Sequence, residues 1–72
     1  MATFIERLKE LRKTANATQA NVAEAIGCLE QYYQKIEYGK IKPSYEKIEL
    51  LADYFDVSTD YLLGRSDNPG RL

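Results

Sequence analysis

The sequence predicts an all-α domain of five short helices packed around one core. Three observations predict it. Apolar residues recur at spacings of three and four along most of the chain, as in helices with one buried stripe, and no stretch alternates as a half-buried strand would. Thr3, Thr18, Ser44 and Ser58 each stand just before such a stretch, where a side-chain oxygen can accept from the unpaired N–H groups of a first turn. Gly27, Gly39 and Gly64 each stand just after one, where a left-handed residue ends a helix.

The first helix opens on Thr3-Phe4-Ile5-Glu6, a capping box. Phe4, Leu8 and Leu11 form its stripe, Arg7, Lys9, Arg12 and Lys13 decorate it, and it runs to about Ala15. Asn16-Ala17 is a short connection. The second helix starts from Thr18 and sets Val22, Ala23 and Ile26 on one face. Gly27-Cys28 is a tight turn into the third helix, where Leu29, Tyr33 and Ile36 are spaced to face the core until Gly39 closes it. Residues 38–43, YGKIKP, form a loop, since Pro43 disfavours helix at Lys42. Ser44 caps a fourth helix with Tyr45, Ile48, Leu51, Ala52 and Phe55 on one face. Asp56-Val57 breaks it. Ser58 caps a last short helix through Leu62-Leu63, and Gly64 stops it. Residues 1–64 form the domain. Residues 65–72, RSDNPGRL, are expected to be a flexible tail. Two short helices about a glycine turn match a helix-turn-helix unit, which is too small to bury its own apolar face. The other helices complete the core.

With 72 residues there is room for one domain and a modest core. One cysteine and no histidine exclude an intrachain disulfide and a zinc site. The lone Cys28 suits a reducing cytosol and has packing as its default role. The start, MATFIERLKE, is charged by residue 6 and does not read as a signal peptide. No stretch approaches the ~20 apolar residues of a membrane span. The expected location is the cytoplasm. The net charge of −1 does not advertise a polyanion ligand, but its distribution does. Residues 1–17 carry Arg7, Lys9, Arg12 and Lys13 against Glu6 and Glu10. Residues 44–63 carry Lys47 against Glu46, Glu49, Asp53, Asp56 and Asp60. The first half is the side to face a polyanion.

ERLKELRK in the first helix, TQxxVAxxIG in the second, IExGKxKPS after the third, and LADYFDVSTDYLLG at the end together resemble the helix-turn-helix family of Cro and phage-repressor DNA-binding domains, the xenobiotic-response-element family. The resemblance covers Phe4 to Gly64 in order. It implies a lambda-repressor-like fold whose third helix enters the major groove while the second crosses the phosphate backbone. Carried onto these residues, it implies a phosphate and base contact at Gln19, and base reading at Glu30, Gln31 and Lys35, flanked by Tyr32 and Gln34. It implies phosphate contacts at Lys40 and Lys42, and a structural ion pair between Arg12 and Glu37. Leu29 stands where the family has a capping Ser or Thr.

The chemistry of these side chains fits that role. Gln31 can pair with adenine N6 and N7, Lys35 can donate to guanine O6 and N7, and Glu30 can only accept, as from cytosine N4. Tyr32 can meet a thymine methyl with its ring or a phosphate with its hydroxyl. Tyr38 can touch a phosphate or cover Ile36. The plainer reading of Glu30, Gln31 and Gln34 is a solvated helix face, with Glu30 serving the helix dipole. The expected function is a sequence-specific DNA-binding transcriptional regulator, a repressor of phage or mobile-element type. It would act as a homodimer through Tyr61, Leu62 and Leu63, on double-stranded operator DNA, with no cofactor, metal, membrane or small-molecule substrate. The rival is a protein-binding module or antitoxin-like regulator using Tyr32, Tyr33 and Tyr38, which suits the near-neutral face and the tyrosines' preference for interfaces. No nucleophile–base pair, metal cluster or glycine-rich phosphate loop points to an enzyme.

Overall fold

The computed structural model describes residues 3–70, which form α1 (Phe4–Thr14), α2 (Gln19–Ala25), α3 (Glu30–Glu37), α4 (Tyr45–Phe55) and α5 (Thr59–Leu62), with no strand among them. Four of the five helices start on the expected caps. The Thr3 oxygen accepts from the Glu6 N–H at 3.2 Å, Ser44 from Lys47 at 3.2 Å and Ser58 from Tyr61 at 3.0 Å. Thr18 does more. Its oxygen accepts from the Asn21 N–H at 3.0 Å, and Asn21 Oδ1 accepts from the Thr18 N–H at 3.1 Å, so an asparagine completes a capping box. α3 starts at Leu29 without a side-chain cap.

Left-handed residues end the helices. Gly27, Gly39 and Gly64 have φ of 73°, 75° and 78°. Asn16 and Asp56 take φ of 58° and 54° without being glycine, a conformation that short polar side chains tolerate best.

The core joins every helix: Leu8 of α1, Val22 and Ala23 of α2 with Ile26, Tyr33 and Ile36 of α3, Leu51 and Ala52 of α4 with Val57, and Leu62 of α5. Phe4, Leu11, Cys28, Ile41, Ile48, Phe55 and Tyr61 pack around it. Each fully buried leucine or isoleucine contributes roughly 1.5–3 kcal/mol relative to exposure. α3 packs on α2 and α1, while α4 packs on α2 and α5.

Two expected core residues lie outside. Leu29 precedes α3 with extended backbone, φ −75° and ψ 151°, so helical spacing does not apply to it and it is 75% exposed. Tyr45 is in phase with Ile48 but occupies the first position of α4, and its ring stays in solvent. The described part of the tail lies against the domain. The Ser58 N–H donates to the Pro69 carbonyl at 3.1 Å, and Arg7 Nη1 donates to the Ser66 carbonyl at 3.4 Å. Arg71 and Leu72 lie outside the described residues.

Candidate nucleic-acid interface

α3 has two faces with different chemistry. Glu30, Gln31, Tyr32 and Lys35 are exposed, and Gln34 is half-buried. Tyr33, Ile36 and Glu37 are buried behind them. One link crosses the outer face, from Gln34 Nε2 to Glu30 Oε2 at 3.3 Å. Gln31 and Lys35 thus keep their donors and acceptors on the surface, where base edges can be met.

The inner face is anchored by a polar network centred on Glu37, the last residue of α3. Arg12 Nε donates to its Oε2 at 2.6 Å and Arg12 Nη2 to its Oε1 at 3.2 Å. The Tyr33 hydroxyl donates to Oε2 and Gln19 Nε2 to Oε1 at 3.1 Å. Arg12 Nη1 also donates to the Ala17 carbonyl at 3.2 Å. One carboxylate therefore binds α1, the start of α2 and α3 together. Burial pushes the Glu37 carboxyl up, but the donors from Arg12, Tyr33 and Gln19 outweigh it and hold it below the usual carboxylate range. Burial, aided by the hydrogen bond to Glu37, pushes the Tyr33 phenol far above its ordinary value, so it stays protonated and donates.

Gln19 is half-buried, with one amide hydrogen committed to Glu37. Lys40 and Lys42 are exposed and bracket the half-buried Ile41. Cys28 is a half-buried free thiol whose pKa burial raises, consistent with packing. Of the three residues expected at a subunit contact, Leu62 is wholly inside the domain's own core. That position is corrected, because α5 is a single turn whose one inward side chain must fill the gap between α1 and α4. Tyr61 and Leu63 keep part of their surface.

Sequence reasoning missed Lys47. Its Nζ donates to the Ile26 carbonyl at 2.7 Å and so caps the end of α2, just before the glycine turn. The partners are 21 positions apart and no local pattern connects them. Arg7 was also missed as a structural residue: it is buried, with its guanidinium 3.8 Å from the centroid of the Tyr61 ring. Among the described residues there is no cluster of His, Cys, Asp or Glu suited to a metal ion, and no helix long and apolar enough to cross a membrane.

A glycine turn between two short helices, with one polar helix face outward and a buried carboxylate behind it, has a counterpart among protein families. A helix-turn-helix family model matches residues 8–62. The chain belongs to the helix-turn-helix family of Cro and phage-repressor domains. This helix-turn-helix domain is 39% identical over 66 residues to the uncharacterized HTH-type transcriptional regulator YobD of Bacillus subtilis, covering 92% of this chain and 59% of YobD. It is 42% identical over 60 residues to the cryptic phage CTXphi transcriptional repressor RstR of Vibrio cholerae, covering 83% of this chain and 54% of RstR. The chain thus spans little more than half the length of these relatives. Its fold is that of the P22 c2 repressor solved with a synthetic operator, with a TM-score of 0.82 at 24% identity over 92% of this chain and 100% of that one.

Proposed function

We propose that the chain is the DNA-reading domain of a transcriptional regulator, a repressor of phage or mobile-element type acting in the cytoplasm. The observation that carries this reading is the two-faced α3: Glu30, Gln31, Tyr32 and Lys35 face outward on a helix whose inner side is fixed by Tyr33, Ile36 and Glu37. The first residues of α3 enter the major groove. Gln31 pairs with adenine, Lys35 with guanine and Glu30 with cytosine N4. Gln19, Lys40 and Lys42 set the register on phosphates, with Gln19 using the amide hydrogen not given to Glu37. A homodimer meeting through Tyr61 and Leu63 would present two α3 helices to half-sites about 34 Å apart. The similarity to RstR, a phage transcriptional repressor, and the shared fold with the P22 c2 repressor, solved on an operator, support this reading. No bond is made or broken.

The test is selection from a random duplex pool followed by titration of the enriched duplex at several salt concentrations. A two-fold motif should emerge, and affinity should fall steeply with salt, with each neutralised phosphate contributing a log–log slope of roughly −0.9. Lys40→Ala and Lys42→Ala should each weaken binding evenly across sequences and reduce that slope by about one. Gln31→Ala should instead relax the preference at one position. An unenriched pool, with flat salt dependence, would reject DNA reading and favour a protein partner at the Tyr32 surface.

A further inference from the structure

The two ends of α3 are held differently. Its last residue, Glu37, is bound by Arg12 and Gln19. Its first turn has no side-chain cap, since Leu29 makes no bond there, while Thr3, Thr18, Ser44 and Ser58 each cap their own helices. The uncapped end is the one that approaches the bases first in the docking proposed above. A donor from α4 reaches the turn just before it. Lys47 Nζ donates to the Ile26 carbonyl at 2.7 Å, and among the described residues no backbone N–H reaches that oxygen. A Cβ at Gly27 would lie 3.9 Å from the same Nζ. Burial raises the pKa of the Cys28 thiol and the Lys47 charge partly opposes it, so the ammonium acts on both sides of Gly27.

Lys47 is well placed to hold that turn. Its side chain is half-buried, and its own N–H donates to the Ser44 oxygen at 3.2 Å, so it springs from a capped first turn. A cation there also meets the negative end of the α2 dipole. α4 packs on α2 and α5, and this bond gives it a hold on the segment that leads into α3. We propose that Lys47 is a positioning residue for DNA reading: by clamping the Ile26 carbonyl it fixes the angle at which α3 leaves the turn, and so where Glu30 and Gln31 meet the base edges. The inference rests on the reading of α3 given above. Such a clamp acts on discrimination. Hydrogen bonds to base edges weaken steeply when misaligned, whereas attraction to phosphates depends little on direction.

The experiment uses the full chain, the duplex that it enriches from a random pool, and a duplex of equal length without the motif. Lys47→Met keeps the length of the side chain and removes the donor. It should weaken binding to the enriched duplex by roughly five- to tenfold, the low end of what one bidentate base contact contributes. Affinity for the other duplex and the salt slope should not change. Lys47→Arg keeps a donor and should recover most of the loss. Ile48→Val, the next residue of α4, should lower the melting temperature without lowering discrimination. If Lys47→Met discriminates as well as the unaltered chain, the bond only stabilises the fold and the proposal is overturned, while DNA reading stands. If it weakens both duplexes alike and the salt slope falls by about one, Lys47 is a phosphate contact and the proposal is overturned. If Ile48→Val loses as much discrimination as Lys47→Met, general loosening is the cause and the proposal is again overturned. If no motif is enriched, the reading of α3 fails and this proposal falls with it.

Discussion

The Tyr33 hydroxyl donates to Oε2 of Glu37 at 2.5 Å, one turn further along α3, and both side chains are buried. Tyr33 is therefore more than an apolar core residue. Its ring fills the core while its hydroxyl helps to satisfy the carboxylate that also holds Arg12 and Gln19. A buried anion is tolerated only when its lone pairs are taken, and here donors from three helices take them.

Removal of either end should be costly to different degrees. Tyr33→Phe keeps the ring and deletes one charge-assisted hydrogen bond, which should cost about 1.5–3 kcal/mol. Glu37→Ala leaves Arg12 facing an emptied site and should cost about 3–5 kcal/mol. Urea unfolding measures both. Equal stabilities of Tyr33→Phe and the unaltered chain would show that the hydroxyl contributes nothing.

The same network sets the response to pH. The folded Glu37 carboxyl lies below its ordinary value of 4.5, so the unfolded chain takes up its proton first on acidification. Its contribution is complete above that value and is lost as pH falls through the lower folded one. The Tyr33 phenol is raised above its ordinary 10.0, so the unfolded chain loses its proton first on the alkaline side. That contribution is complete below pH 10.0 and is lost as pH rises past it. Melting temperature should fall at both ends, and Glu37→Gln should flatten the acidic limb.

The end of α2 offers a second test, in which conformation and contact separate. Gly27 has φ 73°, and a Cβ there would meet only Lys47 Nζ, at 3.9 Å. Gly27→Ala should therefore cost about 1–2 kcal/mol through backbone strain, without a clash. Lys47→Met should cost about 1 kcal/mol by uncapping the Ile26 carbonyl. Denaturant midpoints of the two single variants and the double variant measure the terms. A strongly non-additive pair would mean that Lys47 and Gly27 act as one device.

Local signals carried most of this fold. The caps at Thr3, Thr18, Ser44 and Ser58 and the glycine stops are contacts within a few residues, so the helix boundaries follow from short stretches of sequence. Spacing misled where a residue left helical phase or the packed region, as at Leu29 and Tyr45. The Leu62 correction has another cause: one turn of helix gives too few positions to tell an inward face from an outward one. The site divided in the same way. The outward set on α3 followed from its periodicity. Arg12–Glu37 needed the family resemblance, and the added partners Gln19 and Tyr33 needed coordinates. Lys47 and Arg7 act across 21 and about 60 positions, beyond any periodic pattern.

Arg7 joins α1 to residues beyond Gly64 and so bears on where the domain ends. Its guanidinium lies 3.8 Å from the Tyr61 ring centroid and donates to the Ser66 carbonyl and to Asp67 Oδ1, each at 3.4 Å. The Asp67 side chain is 82% exposed, so water screens that pair and Asp67→Asn should change stability by less than about 1 kcal/mol. The stacked, buried face of Arg7 is worth more, about 2 kcal/mol for a desolvated cation on an aromatic ring. Arg7→Lys should lose much of it, because an ammonium cannot lie flat on the ring or reach both tail acceptors. A chain ended at Gly64 loses the Ser66 and Pro69 acceptors but keeps the stack, so it should fold with a stability between those of Asp67→Asn and Arg7→Ala. Thermal melts of these five proteins, the unaltered chain, Asp67→Asn, Arg7→Lys, Arg7→Ala and the shortened chain, test these expectations. If the shortened chain fails to fold, residues 65–70 belong to the domain and the boundary lies beyond them.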